Sequence, residues 1–210
     1  MEERKFSKKQ ALKFGWETVT GNIGFFIGLS LVVFVVVYVP AFVSSVTEKT
    51  YPVISFIFSL ISNILSMIVG MGFIKIALKF YDKQKADFDD LFSCAKQFFP
   101  YLLSAILMTL AVIGGIIVLI VPGIILGLQL QFFAYFIVDK KTGPMQALKE
   151  SSRITRGQKW QLFLFALLTV LVNIAGLLCL VVGLLVTIPL TSLAYAYIYR
   201  KLEQGEVAHV

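Results

Sequence analysis

From Phe99 to Val138 the chain runs for about 40 residues without one Asp, Glu, Lys or Arg. As one α-helix that run would reach about 60 Å, roughly twice the hydrocarbon thickness of a bilayer. It must therefore fold back once. Pro122-Gly123 is the expected reversal, giving a third span of ordinary length and a short fourth span ending at Asp139. Trp160 to Tyr199 repeats the pattern, with a reversal expected near Gly183 and a kink at Pro189 in the sixth span. Upstream, Ile23 to Val46 is too long for the apolar core of a signal peptide and is expected to stay as an anchor. The second span follows the Ser45 to Pro52 loop and runs to about Leu78.

Composition agrees with a bilayer. Only 15% of residues are charged and 58% are hydrophobic, against about a quarter charged in soluble domains. The fold class expected is all-α: a polytopic membrane protein with six transmembrane helices as three hairpins, each preceded by a cytoplasmic amphipathic helix. A single membrane domain over 1–210 divides into 1–84, 85–139 and 140–204. All 19 Lys and Arg except Lys49 then fall on one side of the membrane. The excess of positive charge on that side predicts that both termini are cytoplasmic.

Three polar segments interrupt the spans. In the first, Lys9, Lys13, Glu17 and Thr20 share one helical face and Leu12, Trp16 and Val19 another, with Ser7 as N-cap. Such a helix lies on the membrane surface. In the second, Asp87 caps a helix whose stripe is Phe88, Leu91, Phe92, Ala95, Phe98 and Phe99, with Asp89, Asp90, Ser93, Lys96 and Gln97 opposite. The third contains Lys149, Arg153 and Arg156, aligned by their spacing on one face. These three are the candidate contacts for anionic lipid headgroups, each worth about 1 kcal/mol near the surface.

An internal repeat underlies the pattern. Gln10-Ala-Leu-Lys13 followed by Gly21 matches Gln146-Ala-Leu-Lys149 followed by Gly157, always 136 residues apart. A second register pairs Leu107 with Leu168, Gly115 with Gly176 and Ile137 with Ile198. Together they imply three copies of an interfacial helix plus a hairpin, parallel about the membrane normal.

Catalytic arrangements are not expected. The only histidine is His209, and there is no His-Glu-x-x-His, Gly-x-Ser-x-Gly or phosphate-binding loop. Cys94 and Cys179 have no metal-ligand spacing, so neither cofactor nor metal is expected. Inside the spans the polar groups are amides, Asn63, Gln129, Gln131 and Asn173, read as interhelical hydrogen-bonding groups. Ser55, Ser59, Ser62, Ser66 and Gly70 form a small-residue stripe for close helix approach. Trp16, Trp160, Tyr101, Tyr195, Tyr197 and Tyr199 fit aromatic belts. Despite a net charge of +7, nucleic acid is a poor partner, because the charge lies against a membrane with little aromatic interleaving.

The segment G-P-M-Q-A-L-K-E-S-S-R-I-T-R-G-Q-K-W-Q-L-F, preceded by I-V-P-G-I-I-L and Y-F-I-V-D, resembles a bacterial family of integral membrane proteins of unknown function. That family is related to the membrane domain attached to some glycerophosphoryl diester phosphodiesterases. The resemblance covers mainly residues 85–200 and implies a six-helix domain without an activity, since the phosphodiesterase chemistry belongs to a separate soluble barrel. Many relatives carry a basic residue in the fourth span where this chain has Gln129 or Gln131. The function expected is a non-enzymatic membrane-organising, lipid-interacting or accessory subunit, with membrane lipids, anionic ones among them, and a protein partner or second copy as partners. The alternative is a small transporter or permease component for an apolar or amphipathic substrate.

Overall fold

Ser7 opens the first helix: its hydroxyl accepts the Gln10 amide at 3.3 Å, satisfying one of the donors that a helix start leaves free. The structure, a computed structural model, describes residues 6–179 and 183–207, and those residues contain no strand. Arg4, Lys5 and His209 lie outside the described residues. Helix α1 (Lys8–Gly21) buries Ala11, Gly15 and Val19 and leaves Trp16 exposed. The buried face is therefore the small one, not the Leu12–Trp16 side, because a glycine at 15 lets α1 rest directly on the backbone of a neighbour. Asn22 alone separates α1 from α2 (Ile23–Val33), which continues through a π-turn, Phe34–Tyr38, into α3 (Val39–Thr47). Pro40 explains the widened turn: its ring has no N–H and crowds the carbonyl one turn back. The Val37 carbonyl in that turn accepts the Ser62 hydroxyl at 2.9 Å.

Helix α4 (Pro52–Tyr81) returns antiparallel to α3. Its seam is Ser55, Ser62 and Val69, all buried, a spacing of seven that suits two nearly parallel helix axes. Ser66 and Gly70 face outward, so the expected five-residue stripe is narrower in fact. Ser55 donates to the Ser44 carbonyl at 2.8 Å.

The segment after α4 departs from expectation. Residues 87–97 form two short 3₁₀ turns, Phe88–Leu91 and Ala95–Gln97, rather than one amphipathic α-helix. Asp87 does cap the first, and Asp90 caps back to the Asp87 amide at 3.0 Å. Asp90, expected on the solvent face, is buried instead. The three-residue period of a 3₁₀ turn brings it under Asp87, and Lys75 and Lys79 of α4 meet it there at 3.1 and 2.7 Å. Leu91 packs directly on α4 at Gly72, where an added Cβ would sit 2.1 Å from the Leu91 carbonyl oxygen.

Helices α5 (Phe98–Val118) and α6 (Ile120–Leu130) form the next hairpin, joined by the single extended residue Leu119. The reversal thus comes before Pro122-Gly123. Pro122 sits in the first turn of α6, where a missing N–H costs nothing, and Gly123 is the crossing point, its Cα close under Gly115. After a break at Gln131 and Phe132 come α7 (Phe133–Lys140), buried from Phe133 to Val138, and α8 (Pro144–Ile154). Gly157, at φ +84°, turns the chain out of α8 in the left-handed region that favours glycine. It then enters α9 (Lys159–Leu178) and α10 (Leu184–Val207), whose connection includes residues outside the described set. Gly176 and Gly183 touch near that hairpin tip as Gly115 and Gly123 do near the other.

Among the described residues, five segments are long and apolar enough to cross a membrane: Ile23–Thr47, Pro52–Tyr81, Phe88–Val118, Ile120–Lys140 and Lys159–Leu178. Helix α10 is the sixth long helix and the more polar one, carrying Thr187, Thr191, three tyrosines and Arg200. It can be so because its Leu190, Leu193, Ala194, Ala196, Ile198 and Tyr199 face protein, not lipid. Around it the outward faces are apolar: Phe42, Phe56, Ile117 and Leu178 are each at least 68% exposed. Apolar exposure on this scale belongs to a lipid environment, and the chain is a multi-pass membrane protein.

The polar segments pack in a cyclic order. α1 lies on α10, the 87–97 segment on α4, and α8 on α5, α6 and α7. Ala11 and Ala147, Gly15 and Ser151, and Val19 and Thr155 are all buried, so α1 and α8 bury the same register. Gly72→Ala should destabilise the protein by about 1–3 kcal/mol in detergent unfolding, because Leu91 meets it with backbone. Gly70→Ala, with nothing within 4 Å, should change little, and equal effects would contradict this packing. In the folded protein a maleimide should label Cys179, which is exposed, and spare buried Cys94.

Candidate functional site

Arg200, one turn from the end of the apolar part of α10, gathers acidic groups from three helices. Its Nη1 and Nη2 donate to Asp139 of α7 at 2.6 and 2.9 Å. Its Nε and Nη2 donate to Asp82, just past α4, at 3.1 and 2.6 Å. Nη1 also meets Glu203 at 3.1 Å. Both aspartates are held in the two-pronged manner that fits a planar guanidinium to a carboxylate. The side chain of Arg200 is 14% exposed, and Lys140 pairs with Glu203 on the rim.

Beneath this clamp lies an aromatic layer. The Tyr199 hydroxyl donates to Asp139 at 3.1 Å, and its ring stacks on Tyr135 and touches Phe132 and Phe136. Tyr199 is fully buried, so it belongs to the core and not to an interfacial belt. Trp16 and Trp160 are exposed as belt residues are.

A second buried polar contact explains the break in the fourth span. The hydroxyl of Ser151, on α8, donates to the Gln129 carbonyl at 2.7 Å and accepts the Phe132 amide at 3.0 Å. Thr155 also reaches the Gln129 carbonyl, at 3.2 Å. These hydroxyls satisfy backbone groups that the interrupted helix leaves free, as membrane burial demands.

The four intramembrane amides do not converge. Asn63 is exposed and donates to its own Ser59 carbonyl at 2.8 Å, and Gln131 donates to its own Leu128 carbonyl at 3.0 Å. Neither bond crosses between helices, because each amide finds a carbonyl of its own chain within one turn. The main chain, not the side chain, of Gln129 carries that residue's contact with α8. Asn173 Oδ1 is buried without a partner among the described residues, as is Thr187 Oγ1. Lys149 and Arg153 on α8, and Arg156 just past its end, are exposed, and Arg153 pairs with Glu150. Among the described residues no three His, Cys, Asp or Glu side chains are placed to hold a metal ion.

Sequence reasoning missed the Arg200 clamp. A signal was present: the register that matches Ile137 with Ile198 also matches Asp139 with Arg200, 61 residues apart. Opposite charges at equivalent helix ends are what interlocked repeats would carry.

Grooves open between the helices of the described residues. One, of about 930 Å³, lies between α1 and α9. Others, of about 270, 410 and 440 Å³, lie beside α10, between α6 and α9, and along the π-turn. None of the four is lined by Asn63, Gln129, Gln131 or Asn173.

Ser151→Ala should cost about 1–3 kcal/mol in detergent unfolding, the penalty of leaving a buried carbonyl and amide unpaired. Lys85→Gln, which removes a 3.8 Å pair on a fully solvated side chain, should be close to neutral. Comparable losses would contradict the role given to Ser151.

Residues 97–205 match a domain of unknown function, DUF7847. Among curated proteins, the chain is 33% identical over 102 residues to an uncharacterized protein of Mycobacterium bovis, covering 49% of this chain and 31% of that one. It is 32% identical over the same length to an uncharacterized protein of Mycobacterium tuberculosis, with the same coverage. The chain therefore spans about a third of the length of these relatives. No solved structure matches it.

Proposed function

The chain belongs to the DUF7847 family, and we propose that this protein is a non-catalytic, lipid-interacting scaffold or accessory subunit of the bacterial inner membrane. Six spans form three hairpins, each led by an interfacial segment, with both termini in the cytoplasm. The observation that carries this reading is the interlocked charge at one end of the bundle. Arg200 is spent on Asp82, Asp139 and Glu203, and Lys75 and Lys79 on Asp90. These charges hold the last helix of each hairpin, while Lys149 and Arg153 of α8, with Arg156 just past it, are exposed.

The cyclic packing of the three polar segments supports three parallel units, and the paired glycine contacts at two hairpin tips support their equivalence. The resemblance to the membrane domain of glycerophosphoryl diester phosphodiesterases fits a module that works beside other proteins, a partner or a second copy among them. A transporter component is the second reading. In its favour, Asn173 Oδ1 and Thr187 Oγ1 lack partners among the described residues in the α9–α10 half of the protein.

Native mass spectrometry from nanodiscs of mixed phosphatidylglycerol and phosphatidylcholine tests the lipid-interacting reading. The protein should retain phosphatidylglycerol preferentially, and Lys149→Gln with Arg153→Gln and Arg156→Gln should reduce that preference. A wild-type protein with no preference would overturn the reading. For orientation, an impermeant maleimide should reach Cys179 from outside intact cells, and labelling only after lysis would reverse the assigned topology.

A further inference from the structure

α1 leaves α9 because of Gly15. An added Cβ there would sit 2.5 Å from the Leu190 carbonyl oxygen, so α1 is drawn down onto α10. Only its leading edge stays on α9, where Phe6 meets Phe165 edge-on at 6.3 Å between centroids. The two helices part beyond that contact and leave the groove of about 930 Å³ between them. Its volume falls within the range of sites that hold small molecules, and it opens sideways to the lipid.

The walls of the groove are unequal along its length. At one end stand Lys8, Lys9 and Trp160, and along the α9 side run Leu164, Leu167, Leu168 and Leu171. No Asp or Glu lines it, and neither Lys8 nor Lys9 has a carboxylate partner among the described residues. The first turn of α1 carries no acidic residue either, so that end is a positive mouth on an apolar trough. Lysine and tryptophan sit together where a membrane changes from headgroup to hydrocarbon. From Trp160 to Leu171 the helix rises about 16 Å, about half of a hydrocarbon core of roughly 30 Å. The trough is one leaflet deep.

We propose that this groove binds one anionic phospholipid from the leaflet in which α1 lies, its headgroup against Lys8 and Lys9 and an acyl chain along Leu164, Leu167, Leu168 and Leu171. The proposal rests on the lipid-interacting reading and adds to it a site separate from α8. A phospholipid fits better than a partner helix for two reasons. The α9 wall presents four leucines where close helix contacts need small residues, and a spanning helix would not match a trough confined to one leaflet.

The test uses the full chain in phosphatidylglycerol and phosphatidylcholine nanodiscs, read by native mass spectrometry, with a phosphatidylglycerol photoprobe on the acyl chain for mapping. Lys8→Gln with Lys9→Gln should lower phosphatidylglycerol retention about thirtyfold, from two headgroup contacts of about 1 kcal/mol each. Phosphatidylcholine retention and the thermal midpoint should not change. Leu168→Trp, which fills the trough, should lower retention of both lipids, and the photoprobe should crosslink within residues 164–171. If wild type prefers phosphatidylglycerol but the Lys8/Lys9 variant keeps the preference and the α8 triple variant loses it, the groove is not the site and the broader reading survives. Crosslinks confined to α8 would also overturn the groove. If wild type shows no preference, both fall.

Discussion

A single guanidinium, that of Arg200, joins the ends of α4 and α7 to α10. Helices that follow one another in sequence meet along small residues: Ser55 and Ser62, Gly115 and Gly123, Gly176 and Gly183. Between helices distant in sequence, lipid offers little hydrophobic drive, since an acyl chain is as apolar as leucine. Polar contacts and close packing must hold the units to one another. Arg200 does so at the end where water can still reach part of the cluster, which limits the desolvation cost that a deeper ion pair would carry. Tyr199 and the rings around it fill the layer below and fix the height of α10 against α7.

The bundle is therefore uneven. Its dense part is the end that contains α1, α7, α8 and the last turns of α10, where Ala11, Ile137, Ala147, Ala196, Ile198 and Tyr199 are fully buried. The hairpin tips are the opposite: Ile117, Val118, Leu119, Ile120 and Val121 are each at least 64% exposed. Helix α9 shows the same character, bordered by grooves on two sides that share Trp160.

Much of this was legible in residues whose signal is local. Ser7 and Asp87 cap where their side chains allow, Gly157 turns where a left-handed residue is required, and the long uncharged runs become helices of membrane length. What sequence alone misplaced depended on neighbours. The phenylalanine spacing over 87–99 suits an α-helix, but the pull of Lys75 and Lys79 on Asp90, and the bare surface at Gly72, favour tighter 3₁₀ turns. Pro122-Gly123 reads as a turn, yet Leu119 takes it, because Gly123 is needed for the crossing with Gly115. The amides looked like interhelical groups by residue type, while Asn63 and Gln131 use their own helices and a serine in α8 does the bridging. In the resembled motif, Val-Asp and Ala-Leu-Lys-x-Ser now have physical roles: Asp139 is the partner of Arg200, and Ser151 satisfies the broken fourth span.

Arg200 and Asp139 act as one contact between α10 and α7. A double-mutant cycle with Arg200→Gln and Asp139→Asn, read by reversible unfolding in mixed detergent micelles, measures it directly. The expected coupling energy is about 1–3 kcal/mol, the range for groups sharing one hydrogen-bonded network. Strictly additive losses would mean that the two residues stabilise the protein independently, and would contradict it.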